Sequence, residues 1–332
     1  MLGKAAVSMQ EYDNLIDILK KGDSFVIVSH YSPDGDAIGS TIAMGMFLER
    51  LGKKAVLYNR DGVPANLSFL PGVSSVKSTI DPSVRFDVAI MVDCGQRKRI
   101  SDDFAQSKAF STVVCIDHHL LDDCEADVAL LDSAAASTGE VVLRLMRRAG
   151  FEPDRRVAQC IYTTLVVDTG FFKYSSTTAE SFSLAADLVR AGAEPWTVSK
   201  HLEESHPACR MKLLALSLAS LSVEQGGRYA SMDVTQAMLS GAGATMELSD
   251  EFATYPRAIE GVEVSALFRE MEDGRTKVSM RSKDFVDVAA LARIFGGGGH
   301  ARAAGFRVKA SVADTKARVS EAVAEALADL PK

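Results

Sequence analysis

Apolar and polar positions alternate along this chain in two different rhythms. After Ser8 and Glu11, which stand at capping-box spacing, Leu15, Ile16, Ile18 and Leu19 recur at helical intervals and predict an opening amphipathic helix. Ser24 to Ser29 is then a short β-branched run, and Asp36 to Leu51 is rich in helix formers with apolar residues at helical spacing. Lys54 to Tyr58, Asp87 to Val92 and Thr112 to Ile116 are further compact apolar runs that end in polar or turn-forming residues, as the strands of a covered parallel sheet do. Ser137 with Glu140, and Thr177 with Glu180, repeat the capping-box spacing, so residues 137–221 read as mostly helical. Beyond Gln225-Gly226-Gly227, the segments Tyr229 to Val234, Val262 to Met271 and Thr276 to Arg281 read as antiparallel strands, with Asp273-Gly274 as a turn signal.

The expected fold class is therefore α/β in two parts. Residues 1–190 carry a mainly parallel sheet flanked by helices, 191–211 form a helical linker, and 212–332 form a smaller α/β domain with a mixed sheet, with a cleft between the two. A length of 332 residues suffices for two such cores. The formal charge of −7 argues against gripping a long nucleic-acid duplex. No apolar run is long enough for a membrane span and the N-terminus lacks a signal pattern, so the expectation is a cytoplasmic protein without a membrane partner. Five cysteines without a C-x-x-C pair indicate neither a disulfide framework nor a zinc knuckle. The single tryptophan, Trp196, reads as core or interdomain packing.

The chemistry gathers at strand ends. His30, Asp34 and Asp36 follow the first strand, Asp93-Cys94-Gly95 a later one and Asp117-His118-His119 the next, while Asp168 ends a helical apolar run. Ligands of open α/β sheets lie at such ends. So much like charge in one place needs cations to offset it, and mixed carboxylate and imidazole donors without thiolate favour two divalent ions, Mn²⁺ first, with Mg²⁺ or Co²⁺ as alternatives. A metal pair of this kind supplies hydroxide and clamps phosphoryl oxygens. The later run Gly296 to Gly299 lacks Cβ atoms, so its backbone could approach an anion or a flat base, and His300, Arg302 and Arg281 make its surroundings positive.

These motifs resemble those of the DHH phosphoesterase superfamily, and Phe295 to Gly305 resembles the GGGH signature of the DHHA1 domain. The resemblance covers nearly the whole chain and is greatest to the nanoRNase subgroup, which degrades very short oligoribonucleotides and dephosphorylates 3′-phosphoadenosine 5′-phosphate (pAp). It implies that His30 and Asp34 bind one metal, that Asp36, His118 and Asp168 bind the other, and that Asp93 bridges them. It places His119 near the scissile phosphate and gives Asp117 the task of fixing an imidazole. Arg99 and Arg281, with Ser282, Gly297, Gly298, Gly299, His300 and Arg302, are the implied substrate contacts. The expected substrates are short RNA, linear dinucleotides such as pApA, and pAp, released as 5′-mononucleotides, and a homodimer is expected from relatives that pair. The competing readings are a cyclic dinucleotide phosphodiesterase, a RecJ-like single-strand DNA exonuclease, a manganese pyrophosphatase, or a catalytically silent nucleotide-binding regulator.

Overall fold

The structure, a computed structural model, describes residues 7–119, 124–174 and 176–328, and the side chain of His300 lies outside the described part. Two units divide between Ser205 and His206. The first runs α1 (Met9–Lys21), β1 (Ser24–Val28), α2 (Gly35–Arg50), β2 (Lys54–Tyr58), β3 (Val76–Lys77), β4 (Phe86–Val92), α3 (Asp102–Gln106), β5 (Phe110–Asp117), β6 (Val128–Leu131), α4 (Thr138–Arg148), α5 (Arg155–Asp168), α6 (Ala179–Arg190) and α7 (Pro195–Glu203). Its six strands lie in the order β3-β2-β1-β4-β5-β6, all parallel.

Both faces of this sheet are covered, which explains its unbroken apolar runs. Phe25, Ile27, Ile90, Val92 and Ile116 face a core shared with α2, α4 and α5, while Val26, Val28, Ala89, Met91 and Cys115 pack with Ile100 and Phe104 on the other side. The strand order reverses between β1 and β4, the switch point outside whose carboxyl ends such sheets hold ligands. Register then fixes what meets there. Val28 pairs with Met91 and Val92 with Ile116, so continuing each strand brings His30, Asp93 and Asp117 abreast.

Two glycines set the depth at which α5 approaches this point. A Cβ on Gly39 would lie 2.6 Å from Thr164 Cγ2 and 2.9 Å from the Cys160 carbonyl, and one on Gly35 would strike Val167. The bare faces of α2 let α5 pack close, which brings Asp168 at its end toward Asp36.

The second unit runs α8 (Ala208–Leu218), β7 (Ser222–Glu224), β8 (Tyr229–Val234), α9 (Gln236–Ala242), α10 (Thr254–Arg257), β9 (Val264–Glu270), β10 (Thr276–Ser282), α11 (Val288–Ile294), β11 (Gly298–His300), β12 (Ala303–Val308) and α12 (Val312–Ala328). The sheet order is β11-β12-β10-β9-β8-β7. One expectation changes here: β8 and β9 are parallel, because the 29 residues between Val234 and Val264 cross over through α9 and α10 rather than turning back as a hairpin. One face of this sheet packs under α11 and α12, and the other, through Met232, Val234 and Leu267, under α8 and α9.

Other details also differ from the sequence reading. The α6 capping box is Thr178 with Ser181, one residue later than the Thr177 and Glu180 pair, because the Thr178 hydroxyl accepts from the Ser181 N–H. Segment 191–211 is divided between the units: α7 buries Val198 in the first core, and α8 buries Leu213 in the second. Trp196, expected to be packed, is 63% exposed, since α7 turns Val198 inward instead. Among the described residues no helix is long and apolar enough to cross a membrane.

The glycine contact generates a stability prediction. Gly39→Ala should destabilise the protein by about 1–3 kcal/mol through overpacking, despite alanine's better helix propensity, as measured by urea unfolding. An unchanged midpoint would mean that α2 and α5 are not held at this distance.

Candidate metal centre

The loop after β1 aims three donors. Asp34 is the N-cap of α2, its Oδ1 accepting the N–H groups of Asp36 and Ala37 at 3.0 Å each, so the turn residue and the candidate ligand are one side chain. His30 Nδ1 lies 2.8 Å from the Tyr31 carbonyl, which turns Nε2 to within 3.3 Å of Asp93 Oδ2. Asn59, buried at the end of β2, donates to Ser29 Oγ and to the His30 carbonyl and fixes the loop from the side. Asp93 itself takes a left-handed backbone (φ 57°), an uncommon conformation of a kind that recurs at functional sites.

Asp36 is fully buried and receives three donors: Thr138 N–H to Oδ2 at 2.8 Å, Gly139 N–H to Oδ1 at 3.1 Å, and the Ser40 hydroxyl to Oδ1 at 3.0 Å. Two of these are first-turn amides of α4, where a helix favours negative charge. His118 Nε2 lies 2.9 Å from Asp168 Oδ2, 3.7 Å from Asp36 Oδ2 and 4.0 Å from Asp93 Oδ1. Asp117 Oδ1 holds His119 at both Nδ1 (2.7 Å) and the backbone N–H (2.9 Å).

Donor atoms thus converge in three overlapping groups, each within 4.8 Å: His30, Asp34 and Asp93; Asp36, His118 and Asp168; and Asp93, Asp117, His118 and His119. Two buried atoms in this space, Asp117 Oδ2 and His118 Nε2, have no hydrogen-bond partner among the described residues, the latter despite its closeness to Asp168. Short contacts without hydrogen-bond geometry are what lone pairs converging on a cation would leave, so the donor set fits divalent metal.

The electrostatics agree. Burial, reinforced by Asp36, Asp34, Asp117 and Asp168, raises the Asp93 carboxyl well above its usual range, and burial with Asp36 and Asp34 does the same to Asp168. Asp117 goes the other way: burial opposes its charge, but the hydrogen bonds and charge of His119 outweigh it. Burial likewise works against charge on the two imidazoles. The carboxylates nevertheless raise both, Asp36, Asp93 and Asp117 around His118, and Asp117 and Asp93 around His119. Burial pushes the neighbouring Cys94 thiol up to about 11, which suits it poorly to nucleophilic work.

The residues read as substrate contacts are placed unevenly. Arg99 is exposed, its carbonyl accepts the Tyr31 N–H at 2.7 Å, and its guanidinium makes no ion pair or hydrogen bond among the described residues. Arg281 is half-buried and donates to the Met280 carbonyl. Ser282 is different from the expectation: it is 1% exposed, and its hydroxyl donates to the Ala301 carbonyl. Arg302 is also engaged, its guanidinium donating to the carbonyls of Val286 and Asp284 and so bracing the loop after β10. Gly297 and Gly299 are required by the sheet itself, since Cβ atoms there would strike Gly305 and Phe306, or Ala303 and Ala304, on β12. Gly298 faces open space. The His300 side chain falls outside the described part.

Sequence reading missed the first turn of α4, which supplies donors to Asp36 and, through the Thr138 hydroxyl, to Asp93 Oδ1 at 3.1 Å. Its visible signal was the Ser137 and Glu140 spacing, which marks a helix start but not its destination. Asn59 was legible in principle as one more polar residue at a strand end.

The chain matches the DHH family, N-terminal domain, over residues 24–165 and the DHHA1 domain over residues 228–329. It is 32% identical over 302 residues to the bifunctional oligoribonuclease and PAP phosphatase NrnA of Thermus thermophilus, covering 91% of this chain and 89% of that one. The probable bifunctional oligoribonuclease and PAP phosphatase NrnA of Streptococcus mutans is 28% identical over 298 residues, with 90% and 93% covered. The crystal structure of an exopolyphosphatase-related protein from Bacteroides fragilis superimposes with a TM-score of 0.89 at 26% identity, covering 98% of each chain. With both domains matched in order and a relative at this identity over nearly its full length, the chain belongs to the DHH family, in the form that carries a DHHA1 domain.

Proposed function

We propose that this protein is a divalent-metal-dependent phosphoesterase that hydrolyses very short oligoribonucleotides, linear dinucleotides such as pApA among them, to 5′-mononucleotides, and converts pAp to AMP. The observation that carries this reading is the convergence of His30, Asp34, Asp36, Asp93, His118 and Asp168, with His30, Asp36 and Asp93 buried, in a chain that spans most of the length of relatives named for those two activities. His30 and Asp34 would hold one ion, Asp36, His118 and Asp168 the other, with Asp93 shared. When bound, two such ions, Mn²⁺ in our proposal, lower the pKa of water and neutralise charge on the phosphoryl oxygens.

The chain's own residues do the rest. Asp117 holds the His119 imidazole at Nδ1, and the surrounding carboxylates keep that ring inclined to carry a proton. A protonated His119 next to the scissile phosphate would orient an oxygen of the substrate or give its proton to the leaving oxygen. Arg99, whose exposed guanidinium has no partner among the described residues, and Arg281 are proposed as the cations that meet substrate phosphate. The protein's acidic balance gives a long RNA little to gain beyond these contacts. We further propose a cytoplasmic, homodimeric protein.

Product analysis with metal-stripped, Mn²⁺-reloaded protein tests the substrate class. AMP should form rapidly from pApA and from pAp, while a long single-stranded RNA is left nearly intact; turnover of pyrophosphate alone would overturn the reading.

Asp93→Asn separates function from stability. Hydrolysis should fall by more than about a hundredfold, beyond what loss of a supporting residue costs. Metal-free protein should melt higher than wild type at neutral pH, because a buried carboxyl crowded by four others is relieved. Near-normal turnover would remove Asp93 from the site.

Metal uptake should also release protons. Asp93, Asp168, His118 and His119 all have raised pKa values without metal, so the metal-free site binds more protons than a loaded one. Affinity for Mn²⁺ should therefore increase as pH rises above the ordinary carboxylate range, and calorimetry in buffers of different ionisation enthalpy should count the released protons. Uptake independent of pH would contradict this.

A further inference from the structure

The turn from Asp132 to Gly139 touches the candidate metal centre at four places. The Asp132 N–H donates to the Asp117 carbonyl at 2.9 Å, the Thr138 and Gly139 N–H groups donate to Asp36, and the Thr138 hydroxyl donates to Asp93, as described above. Arg144 braces the turn from below through ion pairs to Asp132 and Glu140, and Glu140 Oε2 accepts the Ala136 N–H at 2.8 Å.

Thr138 stands apart within this turn. Its N–H reaches Asp36 Oδ2 at 2.8 Å and its hydroxyl reaches Asp93 Oδ1 at 3.1 Å. These two carboxylates belong to different donor groups, His30, Asp34 and Asp93 on one side and Asp36, His118 and Asp168 on the other. The hydroxyl is not needed to start the helix. Ser137 is the N-cap of α4, its Oγ accepting the Glu140 N–H at 3.2 Å. Nor does it return to its own helix, as the hydroxyls of Thr41, Thr163 and Thr164 do in donating to the carbonyls of Ala37, Gln159 and Ile161. Thr138 is fully buried, and close packing of Gly139 against Thr164 anchors the turn around it.

We propose that Thr138 is a positioning residue that couples the two candidate ion sites, holding Asp36 with its backbone and Asp93 with its hydroxyl so that filling one site prepares the other. This rests on the two-ion reading above. Rotation of Asp93 away from its shared orientation would separate the sites, and the one hydroxyl donor from α4 prevents it. Supporting residues of this kind affect metal affinity or activity by about 10–100-fold.

The test compares Thr138→Val, which keeps the volume and the N–H but removes the hydroxyl, with Thr138→Ser, which keeps both donors. Calorimetric titration of metal-stripped protein with Mn²⁺ alone is the primary readout. Wild type and Thr138→Ser should bind two ions in one steep transition, while Thr138→Val should split the titration and weaken the second ion about tenfold or more. With saturating Mn²⁺, kcat on pApA should fall in Thr138→Val while KM stays near wild type. Thermal unfolding of the metal-free proteins gives the control. A Thr138→Val protein that melts lower yet binds two Mn²⁺ ions within twofold of wild type would show a merely structural threonine and overturn the proposal. Wild-type protein that takes up no Mn²⁺ would instead overturn the metal reading on which it rests.

Discussion

Five aspartates, Asp34, Asp36, Asp93, Asp117 and Asp168, act on one another at the carboxyl ends of the first sheet, and donors from two helices, α2 and α4, and two imidazoles hold them together. Unpaired carboxylates buried this close repel one another and lose their hydration. Each is answered in a different way. Asp34 caps α2, Asp36 takes two amides and a hydroxyl, Asp117 is tied to His119, and Asp168 lies against His118. Among the described residues neither Asp93, with one hydroxyl and neighbouring imidazoles, nor Asp168, with one imidazole, has a backbone donor, and both carboxyls are raised well above their usual range. Repulsion left unanswered in this way suits Asp93 to the shared position proposed for it.

That arrangement constrains the helices as much as the strands. Asp36 must lie beside Asp168, which comes from a helix more than a hundred residues away, and the amides that hold Asp36 come from a third helix. Gly35, Gly39 and Gly139 all stand where a Cβ would collide with α5, at Val167, at Thr164 and Cys160, and at Thr164. The polar cluster therefore depends on close apolar packing directly beneath it, with Thr164 in contact with two of the three glycines.

Much of this was legible because strand ends advertise themselves. An apolar run that stops at His30, Asp93 or Asp117 gives both the element and the level of the sheet at which its polar residue emerges, and parallel register puts those residues side by side. The Thr138 turn was not legible for the opposite reason. Its donors are a backbone amide and a hydroxyl with no charge pattern, and which carboxylate they reach is decided by helix packing, not by local sequence. The β8 and β9 pairing was misjudged on similar grounds: alternation identifies a strand but says nothing of its direction, which the intervening α9 and α10 determine.

The second unit shows the limit of arguing from residue type. A glycine run next to basic residues suggests an anion cradle, yet Gly297 and Gly299 are bare because β12 passes over them, and Arg302 is basic but holds a loop by its carbonyls. Lack of a Cβ and a positive charge are each satisfied within the fold. The glycines of this run whose missing Cβ no neighbour requires are Gly296 and Gly298, each with open space where a Cβ would stand. The first unit reverses this relation: Asp117 Oδ2 and His118 Nε2 are buried without a partner among the described residues and lie in one space with three further aspartates, and that convergence, rather than the presence of charge, is what distinguishes a site from a braced turn.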